Sequence, residues 1–200
     1  MKMAEEQKKP IILHVENNDD DNKKFLSAIT EIALAKGVNP QRVASQIVRV
    51  TNFVAAKDYI KNHGENIAAV ITNPAYDGEE DKGAYILTLA AKYNPRVIIG
   101  WSDHNHPRRE HQLVAGISFV NFVGKHELGQ ATSSSDIAAR LIQQPSSAPS
   151  LEAAKTNAVL ILSKAIDALN ISKEQDMKPS QVVDSQLHSK NSNTVLGKEV

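Results

Sequence analysis

Two rhythms of apolar residues alternate along the first three quarters of the chain. Short β-rich runs occur at IILHV (11–15), QIVRV (46–50), IAAVIT (67–72), RVIIGW (96–101) and FVNFV (119–123). Between them, apolar residues recur at helical spacing. Phe25, Ile29, Ile32 and Ala33 share one face of a helix that stops at Gly37; Phe53, Ala56 and Ile60 share a stripe between an N-cap at Asn52 and a stop at Gly64. GAYILTLAAKY (83–93) ends at Asn94 and Pro95, PRREHQLVAG (107–116) opens on a proline suited to a first helical turn, and DIAARLIQ (136–143) is capped by Ser135. Five strands alternating with five helices predict an α/β fold, a doubly wound five-stranded parallel sheet with helices on both faces, because parallel neighbours need crossover connections.

The alternation breaks at QQPSSAPS (143–150). This places one domain at 10–144, a charged N-terminal arm at 1–9, and a region 145–200 made of a linker, a helix at about 151–169 and a polar tail. The tail holds too little apolar surface to offset its ordering entropy and is expected to be disordered. In the helix, Leu151, Ala154, Ala158, Ile161, Leu162, Ala165 and Leu169 form an apolar stripe bordered by Lys155, Asn157, Lys164 and Asp167. An isolated helix of this length is marginal in water, so the stripe needs a surface. The preceding domain, a second copy in a homodimer, and another partner all remain open.

Composition narrows the function. With 41% apolar residues in 200, the chain can bury a core. The absence of cysteine excludes disulfides, thiolate metal sites and a cysteine nucleophile, and agrees with a reducing, cytoplasmic setting. Lys plus Arg and Asp plus Glu balance at 23 each, which argues against nucleic acid as partner. No run approaches the roughly 20 apolar residues of a membrane helix. Neither a glycine-rich phosphate loop nor a serine nucleophile elbow occurs, so no enzymatic activity is expected.

In doubly wound sheets the working residues gather at the carboxyl ends of the strands. Glu16 and Asn17 follow the first run, Asn73 the third, Ser102 the fourth and Lys125 the fifth. Together, IILHVENNDDDNKKFL, AAVITNPAYDG, VIIGWS and FVGKH resemble the receiver domain of two-component response regulators over roughly residues 10–144. The resemblance implies a flavodoxin-like (CheY-like) fold and a place in phosphorelay signalling. It sets Glu16 and Asn17 on the family's acidic pair, Asn73 on the phosphoacceptor aspartate, Ser102 on the switch Ser/Thr, Phe122 on the aromatic switch position and Lys125 on the invariant lysine.

Two of the three family carboxylates are amides here. Asn73 has no anionic oxygen to attack phosphorus, so aspartyl phosphorylation at that position is expected to fail. The formal charge of the acid set falls from minus three to minus one, which leaves Glu16 and Asn17 a weak Mg²⁺ candidate, and no cofactor is expected. His126 stands where the family has a proline. The expectation is a stand-alone pseudo-receiver that works by protein–protein interaction with a histidine kinase, a phosphotransfer domain or another receiver. The alternatives are a phosphorylatable regulator with a displaced acceptor such as Asp77, and a doubly wound binder of a small molecule or nucleotide.

Two further clusters have plainer readings. DHNHPRREH brings Asp103, His104, His106 and His111 together in the manner of a Zn²⁺ or Ni²⁺ site, but reads better as a solvated loop. ENNDDDN lacks the register of a calcium loop and reads as a helix amino terminus, where Asp19, Asp20 and Asp21 complement the helix dipole.

Overall fold

The computed structural model describes residues 9–74, 82–102, 120–125, 134–144 and 151–171. Five parallel strands, β1 (Ile11–Val15), β2 (Ile47–Val50), β3 (Ile67–Thr72), β4 (Val97–Ser102) and β5 (Val120–Gly124), form one sheet in the order β2-β1-β3-β4-β5. That order is the flavodoxin-like, doubly wound one expected from the alternation of strands and helices. The helix anticipated at 107–116 lies outside the described residues, as does the tail after 171.

Strand alternation divides the core in two. Ile12, Ala69, Ile71, Ile99, Trp101 and Val123 point to one face, and Leu13, Val15, Val70 and Ile98 to the other. The second face is covered by α3 (Phe53–His63) and α4 (Lys82–Ala91), which bring Ala56, Ile60, Ile86 and Leu87. Asn52 caps α3 as anticipated, accepting from the Ala55 N–H at 2.8 Å.

The first face is covered by α1 (Asp19–Ala35), which buries Phe25, Ile29, Ile32 and Ala33. Asn18 caps it, accepting from the N–H groups of Asp20 and Asp21 at 2.8 and 3.2 Å. Gly37, at φ +68°, ends the helix in the left-handed conformation, and the Val38 N–H returns to the Ala33 carbonyl at 2.9 Å. A short helix not anticipated from the sequence, α2 (Pro40–Ala44), follows behind an Asn39 cap and buries Val43 on this face.

The same face holds α5 (Ser134–Leu141) and α6 (Leu151–Ala168). Helix α6 packs against α1, α5 and the β3–β4–β5 side of the sheet, and its Ala158, Val159, Leu162, Ala165, Ile166 and Leu169 belong to the same core cluster as Ile12 and Phe25. The packed unit therefore continues past 144 to about Leu169, because α6 shares the core on this face of the sheet. Its polar border is used as well: Asp167 pairs with Lys36 at 3.0 Å. Of the three surfaces open to the apolar stripe, the chain's own sheet is the one it covers. No helix among the described residues is long and apolar enough to cross a membrane.

Candidate functional site

The strand register sets the expected site residues along one edge. Val15 pairs with Thr72 and Gly100 with Phe122, so Glu16 and Asn73 leave neighbouring strands one residue beyond a shared level. Ser102, the last residue of β4, pairs with Gly124, and Lys125 follows directly. Glu16, Asn17, Asn73, Ser102, Phe122 and Lys125 therefore all belong to the carboxyl half or carboxyl edge of the sheet.

Of these, the structure joins Glu16 and Lys125. The Lys125 ammonium lies 2.8 Å from Glu16 Oε2, reaching from the end of β5 past the ends of β4 and β3 to β1. A third residue completes the cluster: Lys125 Nζ donates to Asp21 Oδ2 at 2.8 Å, and Lys24 pairs with the other Asp21 oxygen at 2.9 Å. Glu16, Lys125 and Asp21 are all buried. The Asn18 N–H donates to Glu16 Oε1 at 2.9 Å, and the Arg49 guanidinium donates to the Glu16 carbonyl at 3.1 Å while pairing with Asp19 at 2.7 Å.

Asp21 thus does more than complement a helix dipole. Burial pushes its carboxyl up, but the hydrogen bonds and charges of Lys125 and Lys24 outweigh burial and leave it below the ordinary carboxylate range. Its place was readable. Stepping four residues back from Phe25 along the stripe Phe25–Ile29–Ile32 gives position 21, so the acid sits on the buried face of α1.

The β3 corner is built differently. Asn73 is half-buried and Pro74 buried. The Ala84 N–H donates to the Pro74 carbonyl at 3.0 Å, drawing the start of α4 onto the strand end. A side chain at Gly83 would collide with the Asn73 carbonyl oxygen, so only glycine permits this approach. Phe122 lies over Gly100, where an added Cβ would stand 2.7 Å from its ring and 3.3 Å from Pro74. The aromatic ring is therefore packed inward beside the Asn73–Pro74 corner. Asn17 is exposed.

Beneath the ion cluster His14 is fully buried, tilted against Phe25 with ring centroids 4.1 Å apart and edge-on to Trp101 at 6.4 Å. Its Nδ1 contacts Asn22 Oδ1 at 3.2 Å. Burial lowers its pKa to about 3, with the Asn22 hydrogen bond opposing and the Lys125 and Arg49 charges reinforcing, so the imidazole is neutral. Trp101, fully buried, belongs to the core.

Asp77, Asp103, His104, His106, His111 and His126 lie outside the described residues. Among the described residues no three His, Asp or Glu side chains form a group suited to a metal ion. A cavity of about 450 Å³ opens away from the sheet edge, between α5 and α6, lined by Asp136, Arg140, Gln143, Glu152 and Thr156. No protein-family model matches the chain, and no curated protein matches it.

Proposed function

We propose that the protein is a receiver-like signalling module of the two-component type that acts by protein–protein interaction and is not phosphorylated at the aspartyl position of that family. The observation that carries this reading is the pairing of Lys125 with Glu16 and Asp21 at the same edge as the amide of Asn73. In a receiver the lysine and the acids serve an incoming phosphoryl group and its Mg²⁺. Here an internal ammonium already pairs with both buried carboxylates, and the strand position that would carry the nucleophile presents an amide. Mg²⁺ binding at Glu16 would have to displace Lys125, which adds to the expectation of weak or absent metal affinity.

The partner is a protein of the same signalling chemistry: a histidine kinase, a phosphotransfer domain or another receiver. With Phe122 packed against Gly100 and Pro74, the surface beside β5 is held by packing and its affinity for a partner is insensitive to a phosphoryl mimic such as beryllofluoride. The working compartment is the cytoplasm. Incubation with acetyl phosphate and Mg²⁺ tests the reading: the intact mass stays unchanged. A hydroxylamine-labile phosphate adduct overturns it, and mapping that adduct to Asp77 would establish the displaced-acceptor alternative.

A further inference from the structure

Two nitrogen atoms in the centre of the fold, His14 Nε2 and Trp101 Nε1, are buried without a hydrogen-bond partner. Both residues are 0% exposed, and their rings meet edge to face at 6.4 Å with an interplanar angle of 87°. Their hydrogen-bonding characters are complementary. Asn22 Oδ1 can only accept, so the contact at 3.2 Å makes His14 Nδ1 the donor of the neutral ring and leaves Nε2 with an acceptor lone pair. The indole Nε1–H can only donate. An acceptor on β1 and a donor on β4 thus stand on one face of the sheet, with Ile71 of the intervening strand level with His14.

We propose that His14 Nε2 and the Trp101 Nε1–H are joined through one buried water molecule, which accepts from the indole and donates to the imidazole. Leaving either nitrogen dry and unpaired in this core carries the full desolvation cost, whereas a water between complementary groups satisfies both. The consequence reaches the edge above. His14 lies two residues before Glu16 and Trp101 one before Ser102, so the bridge ties together the strands that carry two of the site positions. The inference does not depend on the receiver reading, since it uses only the ring geometry of the core.

The full-length protein in solution provides the test. Long-range ¹H–¹⁵N spectra of His14 show the Nδ1–H tautomer, and the indole proton of the single tryptophan shows a cross-relaxation peak to a slowly exchanging water. The Nε2–H tautomer, or an indole proton with no such peak, overturns the proposal. Stability measurements supply a second arm. His14→Phe keeps a ring against Phe25 and deletes the acceptor, stranding the water and the indole N–H, so the folding equilibrium constant falls by about tenfold. In Trp101→Phe the same deletion already made costs less: the double variant is more stable than the two single losses predict by roughly fivefold or more. A gain in stability for His14→Phe, or strictly additive losses, would show that the two nitrogens are not bridged.

Discussion

Two corners of one sheet edge solve the same problem by different means. At the β1–β5 corner the chain buries charge, and it pairs Glu16 and Asp21 with Lys125 from the far side of the sheet. At the β3 corner it buries backbone, with the start of α4 pressed onto Asn73 and Pro74 through Gly83. The first corner is held by electrostatics in a dry setting and the second by steric fit. Charge changes should therefore act at one and volume changes at the other, and each corner should be nearly indifferent to the perturbation that damages its neighbour.

The sharpest contrast comes from Lys125→Met. It removes the ammonium that lies 2.8 Å from both Glu16 and Asp21, so two buried carboxylates lose the cation they share and the expected loss is about 3–5 kcal/mol in chemical unfolding. Adding Glu16→Gln should return part of that loss, because an amide tolerates burial without a counter-charge. If Lys125→Met cost less than about 1 kcal/mol, the cluster would be solvent-screened and the contrast between the corners would disappear.

Acid strains the same corner from below. His14 is neutral in the fold with a pKa near 3, against 6.5 when unfolded. A depressed folded pKa means that this contribution to stability is complete above 6.5 and is lost as pH falls from there toward 3. The slope is roughly 1.4 kcal/mol per pH unit, which amounts to about 3 kcal/mol by pH 4.5. Asp21, also depressed, adds a loss of the same sign only below its ordinary 3.8. Unfolding curves taken from pH 7.5 to 4.5 measure the slope, and in His14→Phe the curve should be nearly flat over that range. An equally steep curve in the variant would move the acid sensitivity to another group.

Gly83→Ala probes the steric corner. The new methyl would overlap the Asn73 carbonyl oxygen, a backbone atom that cannot swing aside, so α4 or the strand end must shift at a cost of about 1–3 kcal/mol. The loss should be independent of pH and salt, unlike that at the charged corner. A neutral outcome in thermal denaturation would mean that α4 slides freely over the strand end.

How much of this was legible in the chain depends on what periodicity reports. The strands and most helices were readable because their apolar positions repeat at 2 or 3.6 residues, and Asn52 and Gly37 marked ends by local chemistry. The stripe on α6 was readable too, yet its destination was not. Periodicity says that a face is apolar without saying which surface covers it, so only the fold shows Leu162 and Ile166 in the same core as Phe25. The short α2 has one buried apolar residue and too little length to show a period. Glu16 and Lys125 were legible as strand-end positions, but their pairing spans the intervening β3 and β4 and leaves no trace in local sequence. Asp21 was hidden by company: in a run of three aspartates, only its phase relative to Phe25 separates the buried acid from its exposed neighbours.

The smallest effect is the most discriminating. Asn73→Asp adds little volume, so the steric corner should accept it, and the perturbation is one of charge alone. Asn73 leaves β3 at the level where Glu16 leaves β1, and Lys125 is already committed to two carboxylates, so the new acid meets a like charge. At a half-buried position this should cost up to about 1 kcal/mol at neutral pH, and the loss should vanish as the new group is protonated. Mg²⁺ should not restore the single variant. In Asn17→Asp with Asn73→Asp, three acids would face the edge and a thermal shift with millimolar Mg²⁺ should appear, since a hard cation then gains carboxylate ligands that the natural sequence withholds. If Asn73→Asp instead raised stability without metal, Lys125 would have turned from Glu16 or Asp21 toward the new carboxylate. The charged corner would then be able to extend to β3, and the separation of the two corners would rest on the amide alone.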